Sequence, residues 1–423
     1  MGCCRHQKMG KCREEGEGEF PMNPVKRLLC LGLLLVFAST SAGCWDRREI
    51  NDLAIVLAVG VDRNPNHKIL LSAQIFFPKV AGGGPQGNTG GTGSNAIGQT
   101  IMQSAEGVTI ADAMTQLQSK LPRSLFWGQS EVMIIGEAAA AKGIRSYIDF
   151  FLRYVQFREH AYTYISKDRA VDLIKLQPPL ERSSAEVLRE MGNLKLGAQI
   201  TLKELAQKID GASQAALLTR IHITPFATAA DAAHNNIQVT GIGVFKKDKF
   251  VGSLEERANL GILAITNELE TKIFSFPIDT SGGHVSVNLV HAKTKMVPHI
   301  DEKGVWSMDL FVEMDGDLVL NTTNQFNSDP KFVQQVKKAW TESIRGDIEA
   351  ALKRVQKQLK TDAFGFAEPF YRHYPKAWSR VKDRWNDEVF PALQVNLHIR
   401  TQLNRIGKST VPQGIPESSI RKK

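Results

Sequence analysis

The sequence predicts an α+β protein of more than one domain, with helices packed on mixed or antiparallel sheets. Three observations lead to this prediction. Leu53–Asp62 is an apolar run rich in β-branched residues, which is typical of a buried strand. Residues 329–359 repeat apolar side chains every three or four positions, as one long helix with a buried face does. Leu393–Leu403 alternates apolar and polar residues, which indicates a strand with one buried face.

The N-terminal part has the pattern of a bacterial lipoprotein signal over residues 22–43. Lys26 and Arg27 supply the positive start, and Leu28–Ala38 supplies the apolar run. That run is short for a membrane-spanning helix, which needs about 20 apolar residues. Small residues follow, and Cys44 comes directly after them. We therefore expect cleavage before Cys44.

Cys44 is the predicted lipid anchor. Its thiol would carry a diacylglycerol and its freed amine a further acyl chain, and two buried chains hold a protein on a bilayer firmly. No other cofactor is predicted. Two alternatives stay open, an uncleaved membrane helix that includes Leu28–Ala38 and a plain secretory signal. Ser41 stands where lipoprotein signals usually carry Leu, whereas the charged stretch Trp45–Glu49 suits a tether that leaves a membrane.

Composition limits the remaining possibilities. Residues 1–21 fit no targeting pattern and are predicted to be a misassigned or disordered leader, with translation starting at Met22 or, as the alternative, at Met9. After cleavage Cys44 is the one cysteine left, so neither a disulfide nor a free thiol nucleophile is expected. Without residues 1–43 the chain has 47 Lys and Arg against 40 Asp and Glu, a net charge of +7. This charge is spread along the chain, which suits an anionic membrane surface and argues against nucleic acid.

The first half is predicted to form an α+β domain, residues 44–222, with a flexible Gly-rich loop at 81–95. Lys68–Pro78 is expected to return as a hairpin partner of the first strand. Further helices are predicted at Ser104–Leu121, Ala138–Val155, Ala170–Leu176, Ser183–Asn193 and Thr201–Ile209, the last with a capping box of Thr201 and Glu204. Further strands are predicted at Leu125–Ile135 and His160–Ser166.

Periodicity is lost over His222–Ala233, and a domain join is predicted there. A second α+β domain, residues 234–407, and a polar tail, 408–423, follow; a further division near residue 280 stays open. Asp329 and Pro330 mark the start of the long helix. The other predicted helices are Leu260–Glu268 and Pro375–Glu388. The predicted strands are Ile237–Phe245, Lys249–Leu254, Ile273–Phe276, His284–Ala292, Lys295–Ile300 and Trp306–Asp315.

The sequence lacks the spacings that are typical of catalytic or metal sites. The ten histidines do not cluster, and Gly128–Val132 lacks the final glycine of a serine nucleophile elbow. Asp315–Asp317 is too short for a calcium loop and is predicted to be a turn. We therefore predict no catalytic, metal or cofactor residue and a binding or scaffolding module. An unrecognised hydrolase is one alternative.

Four stretches together carry a family resemblance: Gly43–Ile50 with the strand that follows it, Phe126–Ser166, Thr240–Leu254 and Thr361–Phe390. They resemble the Ger(x)C family, the lipoprotein C subunits of spore germinant receptors. The start motif at Gly43–Ile50 is quite specific. It is supported by a pattern in the last stretch, formed by Asp362, Phe364, Gly365, Pro375, Trp378 and Trp385. The resemblance extends over nearly all of Cys44–Gly407.

The resemblance implies a lipid-anchored, non-enzymatic subunit of a nutrient germinant receptor, on the outer face of the spore inner membrane. It implies three partners, namely membrane lipid and two membrane subunits, one A-type and one B-type. Only Cys44 carries over as a defined functional residue. A solute-binding lipoprotein of a membrane transporter is the alternative, although that class usually has two lobes of repeated strand–helix units.

Overall fold

The computed structural model of this chain describes residues 23–26, 28–29, 31–33, 50–77, 99–178, 181–226, 234–270, 272–278, 283–323 and 325–407. The chain divides into two compact units, Met1–Ile50 and Asn51–Lys423. In the first unit, the described residues after Asn23 are helical. Among the described residues, no helix combines the length and the apolar composition needed to cross a bilayer.

The second unit contains a mixed sheet of nine strands in its described part. The strands are β1 (Leu53–Arg63), β2 (Ile69–Phe77), β3 (Gln99–Gly107), β4 (Ser124–Phe126), β5 (Val132–Gly136), β6 (Tyr162–Ser166), β7 (Ala215–Phe226), β8 (His234–Lys246) and β9 (Lys249–Leu254). Their order is β3-β2-β1-β5-β6-β7-β8-β9, and β4 also pairs with β1. The central pairs from β1 to β7 are parallel, and the outer pairs are antiparallel. Buried parallel strands explain the continuous apolar run of β1.

Six helices cover both faces of this sheet. They are α1 (Ile110–Gln118), α2 (Glu137–Ala140), α3 (Arg145–Arg153), α4 (Ala170–Ile174), α5 (Ser184–Asn193) and α6 (Leu202–Asp210). Apolar residues of α1, α2, α3 and α6 share one core with the sheet, and those of α4 and α5 share a second core with its other face.

A second sheet of four strands is packed by two helices that lie against each other. Helix α7 (Glu256–Thr266) precedes β10 (Ile273–Pro277), β11 (His284–Ile300) and β12 (Trp306–Asn321). The long helix α8 (Pro330–Leu352) continues as a π-helical turn, Lys353–Gln358. The short helices α9 (Ala367–His373), α10 (Pro375–Val381) and α11 (Phe390–Ala392) lead to β13 (Gln394–Arg405), which pairs parallel with β12. One core joins α7, α8 and this sheet.

Several sequence predictions are confirmed. The α+β class with mixed sheets is observed, and the segment 329–359 is one helix with a π-helical end. Asp329 caps this helix by accepting a hydrogen bond from the Lys331 N–H at 2.9 Å. The capping box of Thr201 and Glu204 is present at the start of α6.

Other predictions are wrong at identifiable points. The predicted helix Ser104–Leu121 begins only at Ile110, since residues 104–107 belong to β3. The predicted helix Ala138–Val155 is divided between α2, which ends at Ala140, and α3, which begins at Arg145; Gly143, with a φ of +113°, lies in the turn between them. The predicted strand Leu125–Ile135 is two strands, and the pair His284–Ala292 and Lys295–Ile300 is one strand, β11. Asp315–Asp317 lies inside β12 and is not a turn. The predicted helix Pro375–Glu388 is interrupted by a 3-10 and a π-helical turn.

The main omission is β7, because no strand was predicted at residues 215–226. This strand pairs with β8 through twelve residue pairs, from Ala215↔Lys246 to Phe226↔His234. The predicted join at His222–Ala233 therefore overlaps the end of β7 and extends to the start of β8, its neighbour in the same sheet. The division into residues 44–222 and 234–407 stays a prediction, and the first sheet contains strands from both sides of it.

Candidate functional site: the buried junction at Asp362

The predicted anchor, Cys44, lies outside the described residues. Within the described ranges, no group of three or more His, Cys, Asp or Glu side chains could hold a metal ion. His284, His291 and His299 all lie on β11, where they are spaced by seven or more residues. The densest polar arrangement that involves a residue singled out by the sequence is centred on Asp362.

Asp362 is fully buried, and five groups donate hydrogen bonds to its carboxylate. Three are backbone N–H groups: those of Gly365 and Phe366 reach Oδ1 at 3.1 and 3.0 Å, and that of Ala367 reaches Oδ2 at 2.7 Å. The other two donors are side chains. The Ser213 hydroxyl and the Trp385 indole N–H each lie 2.9 Å from Oδ2.

The local backbone explains why the carboxylate can collect these donors. Asp362 follows the π-helical turn that ends α8, and Gly365 turns the chain with a φ of +83°. The N–H groups of residues 365–367 therefore point back at the Asp362 carboxylate, as backbone N–H groups do at a capped helix start. A second π-helical turn, Trp385–Val389, contributes the indole. Single π-helical turns within helices are often found at functional positions.

Asn386 completes the junction on the other side of Asp362. Its Oδ1 accepts a hydrogen bond from the Asp362 N–H at 2.6 Å, and its Nδ2 donates to the Ser213 carbonyl at 2.9 Å. The Ala212 N–H donates to Glu368 at 3.1 Å, next to these bonds. We call Ser213, Asp362, Trp385 and Asn386 the Asp362 junction. It joins the loop between α6 and β7 to the segment between α8 and β13.

Aromatic side chains enclose the junction. Trp385 lies 5.1 Å from Trp378 and 5.4 Å from Phe370, measured between ring centroids, and Trp306 of β12 contacts the same cluster. All three tryptophans belong to the core of the second sheet or pack against it. Both tryptophans that the sequence singled out therefore lie at the junction: Trp385 donates to the buried carboxylate, and Trp378 packs against Trp385.

The electrostatics of Asp362 fit a connecting role. Burial raises the pKa of this carboxyl, and the hydrogen bonds from Ala367, Phe366, Trp385 and Ser213 oppose that rise. A carboxylate offers about four lone-pair positions, and five donors already occupy them. All five donors belong to this chain, so the carboxylate holds two parts of the chain together.

Sequence reasoning found two of the four junction residues. Asp362 and Trp385 belong to the pattern that resembles the Ger(x)C family. Ser213 and Asn386 were missed, because a single Ser or Asn gives no periodic or spacing signal. Gln356 was missed for the same reason; its Nε2 donates to the carbonyls of Phe390 and Leu393, both at 2.8 Å, and fixes the start of β13.

Two family models match this chain. The model described as the spore germination protein N-terminal domain matches residues 46–223, and the one described as spore germination B3/GerAC-like, C-terminal, matches residues 240–407. The chain belongs to the GerAC family of spore germination proteins. The Asp362 junction therefore joins the two matched regions, since Ser213 lies in the first and the other three residues in the second.

Curated relatives from Bacillus subtilis (strain 168) match over nearly their whole length. Spore germination protein KC is 26% identical over 92% of this chain and 98% of its own length. The putative spore germination protein YfkR is 27% identical over 86% of this chain and 93% of its own length. The crystal structure of the GerBC protein matches with a TM-score of 0.52 at 15% identity, over 84% of this chain and all of that chain. This last match confirms the fold.

Proposed function

We propose that this spore germination protein is a lipid-anchored, non-enzymatic subunit of a nutrient germinant receptor on the outer face of the spore inner membrane. The observation that carries the proposal is the pair of family matches, which together extend from residue 46 to residue 407. The matched region begins two residues after Cys44, the predicted acylated residue.

The proposed partners are membrane lipid and two membrane subunits of the receptor, one A-type and one B-type. A scaffolding role is supported by the Asp362 junction, in which the buried carboxylate serves as a connection between two regions.

The receptor assignment is tested by dipicolinate release from spores of a deletion strain. A panel of nutrients is compared with a trigger that does not depend on nutrients. We expect the response to one nutrient or nutrient mixture to be lost, while the nutrient-independent release stays at the wild-type rate. Intact responses to every nutrient, in a strain that also lacks paralogues, would contradict the receptor assignment.

The anchor is tested separately with Cys44→Ala. This variant should lose metabolic labelling by palmitate and leave the membrane fraction, because both acyl chains depend on that cysteine. Cys30→Ala is the matched control, since Cys30 lies in the apolar run of the signal and its replacement keeps that run apolar. Labelling that persists in Cys44→Ala would show that another residue carries the lipid.

A further inference from the structure

Exposed basic residues gather on the segment that follows Asp362 in sequence. Residues 371–382 contain four Lys or Arg and no Asp or Glu. Lys376 and Arg380 are four positions apart on α10, so they lie on one face of that helix. Trp378 is buried on another side of the same helix and packs it against the core of the second sheet. The four basic residues are all exposed, namely Arg372, Lys376, Arg380 and Lys382.

Two lysines from other parts of the chain extend this basic segment. Lys247 lies in the turn between β8 and β9, and Lys360 lies just after the π-helical turn that ends α8; both are exposed. The hydrogen bond from Lys246 lowers the pKa of Asp387 most, and the charges of Lys247 and Lys360 lower that pKa further. Both lysines therefore lie near Asp387, which follows Lys382 by five residues. We call Lys247, Lys360, Lys376, Arg380 and Lys382 the basic surface.

The neighbouring carboxylates leave the charge of the basic surface uncompensated. Within the part of the chain that the structure describes, none of its five residues forms an ion pair. Asp383 is the exposed carboxylate of residues 371–388 that is likewise without an ion pair among the described residues. The other carboxylates nearby pair with different cations, namely Asp387 with Lys246 at 2.6 Å, Glu388 with Arg384 at 2.9 Å and Glu368 with Arg372 at 3.9 Å.

The basic surface lies at the end of the first sheet at which its parallel strands begin. β1, β5, β6 and β7 run parallel, so Leu53 and Ala215, their first and last starting residues, are at the same end of the sheet. Lys246 pairs with Ala215, and the turn at Lys247 follows directly. Leu53 comes nine residues after Cys44, and nine residues span at most about 32 Å. A lipid on Cys44 would therefore attach within that distance of the start of β1.

We propose that the basic surface docks on an anionic phospholipid bilayer, so that the folded unit contacts the membrane through its own side chains as well as through the predicted lipid. The inference rests on the proposed function, because the anchor decides which side of the folded unit faces the bilayer. Each Lys or Arg near an anionic leaflet strengthens binding by about fivefold. Tyr371, which is 53% exposed, adds an aromatic ring of the kind found at headgroup level. Four of the five residues are Lys, which is depleted in protein–protein interfaces, so lipid is favoured over an acidic protein.

The test uses the purified full chain, reconstituted on vesicles of phosphatidylcholine alone or of phosphatidylcholine mixed with phosphatidylglycerol. Hydrogen exchange followed by mass spectrometry gives the exchange rates of the backbone amides at residues 371–384. We expect these rates to be about threefold or more lower on the anionic vesicles than on the neutral ones. The difference should disappear at high salt, because exposed charges are then screened. Palmitate labelling tests the anchor separately, so a labelled chain that does not dock would refute this inference alone.

A double variant and a charge-matched control locate the docking surface. Lys376→Glu combined with Arg380→Glu should weaken docking by about 25-fold or more, because two contributions of about fivefold are removed, and exchange should return to the rate on neutral vesicles. Lys331→Glu combined with Lys338→Glu changes the net charge equally at exposed positions in the first half of α8, and it should keep the slower exchange.

Three results on vesicles would each overturn the proposal: equal exchange on both kinds of vesicle, slower exchange that survives the variant Lys376→Glu with Arg380→Glu, or loss of the slower exchange in the control. The same measurement on isolated spore membranes covers the other occupant. Slower exchange there, without any on the anionic vesicles, would indicate an acidic protein partner and would also overturn the assignment to lipid.

Discussion

Replacing Asp362 by Asn tests whether the Asp362 junction stabilises the fold. In either orientation, the NH2 group of the Asn side chain would replace one carboxylate oxygen, and it would face N–H donors from which it cannot accept a hydrogen bond. One orientation leaves the N–H groups of Gly365 and Phe366 without an acceptor, and the other leaves those of Ala367 and Trp385. Each buried donor without an acceptor costs about 1–3 kcal/mol. Because a buried negative charge is removed at the same time, we expect a net loss of about 3 kcal/mol in unfolding free energy.

The assay is urea unfolding of the full chain, followed by circular dichroism, together with hydrogen exchange of the backbone amides. Asp362→Asn should lower the urea concentration at the unfolding midpoint and increase the hydrogen-exchange rates of the amides at residues 365–367. Asp383→Asn is the matched control, because Asp383 is exposed and close in sequence, and surface changes usually stay within about 0.5 kcal/mol. An unchanged midpoint with amides still protected at residues 365–367 would refute the reasoning about the junction.

Two further predictions concern α7 and the residues that follow it. Gly261→Ala should lower the melting temperature, because a Cβ at Gly261 would overlap the Asp347 carbonyl oxygen and force α7 and α8 apart; overpacking of this kind costs about 1–3 kcal/mol, and an unchanged melting temperature would contradict it. Glu268→Gln should raise the unfolding free energy at pH 7 and give no gain below the ordinary Glu pKa of 4.5. Burial raises the folded-state pKa of Glu268, so the wild type loses stability as pH rises from that ordinary value to the raised one. Urea titrations at pH 4 and pH 7 check this, and equal gains at both would contradict it.

Local rules predicted the elements whose pattern is complete within a short stretch. The long helix α8 has an apolar repeat, an Asp cap and a Pro at its first position, and all three agree. The strand β13 alternates along its length, because one face packs against α8 and the other is exposed. The capping box of α6 needs only two residues, Thr201 and Glu204.

The missed strand β7 has a physical cause. β7 carries Arg220 and His222 among its apolar residues, which breaks the pattern of a buried strand. The structure shows that both side chains have partners: Arg220 pairs with Glu137 at 2.6 Å, and His222 Nδ1 lies 2.7 Å from Asp168 Oδ2. Those partners are more than 50 residues away in sequence, so no local window could include them.

The Asp362 junction is a similar case at the level of the site. A sequence pattern can show that Asp362 and Trp385 belong together, because both lie in one stretch of about 30 residues. It cannot show that Ser213 completes the pair, since 149 residues separate Ser213 from Asp362. The contact between Ser213 and Asp362 is formed only in the folded structure, where the two matched regions lie side by side.

The first sheet gives the clearest argument about how the two matched regions form one body. The family models end at residue 223 and begin again at residue 240, yet β7 and β8 pair with each other through this gap. β8 therefore forms hydrogen bonds with β7, a strand that lies mostly in the first matched region. In sequence, however, β8 and β9 are followed by α7, which lies in the second matched region. Removing the second region at that gap would expose the edge of β7, a strand with neighbours on both sides. The Asp362 junction also connects the two regions, because it joins the loop before β7 to the segment before β13. The two regions are therefore expected to unfold together, and a partner that binds one of them would stabilise both.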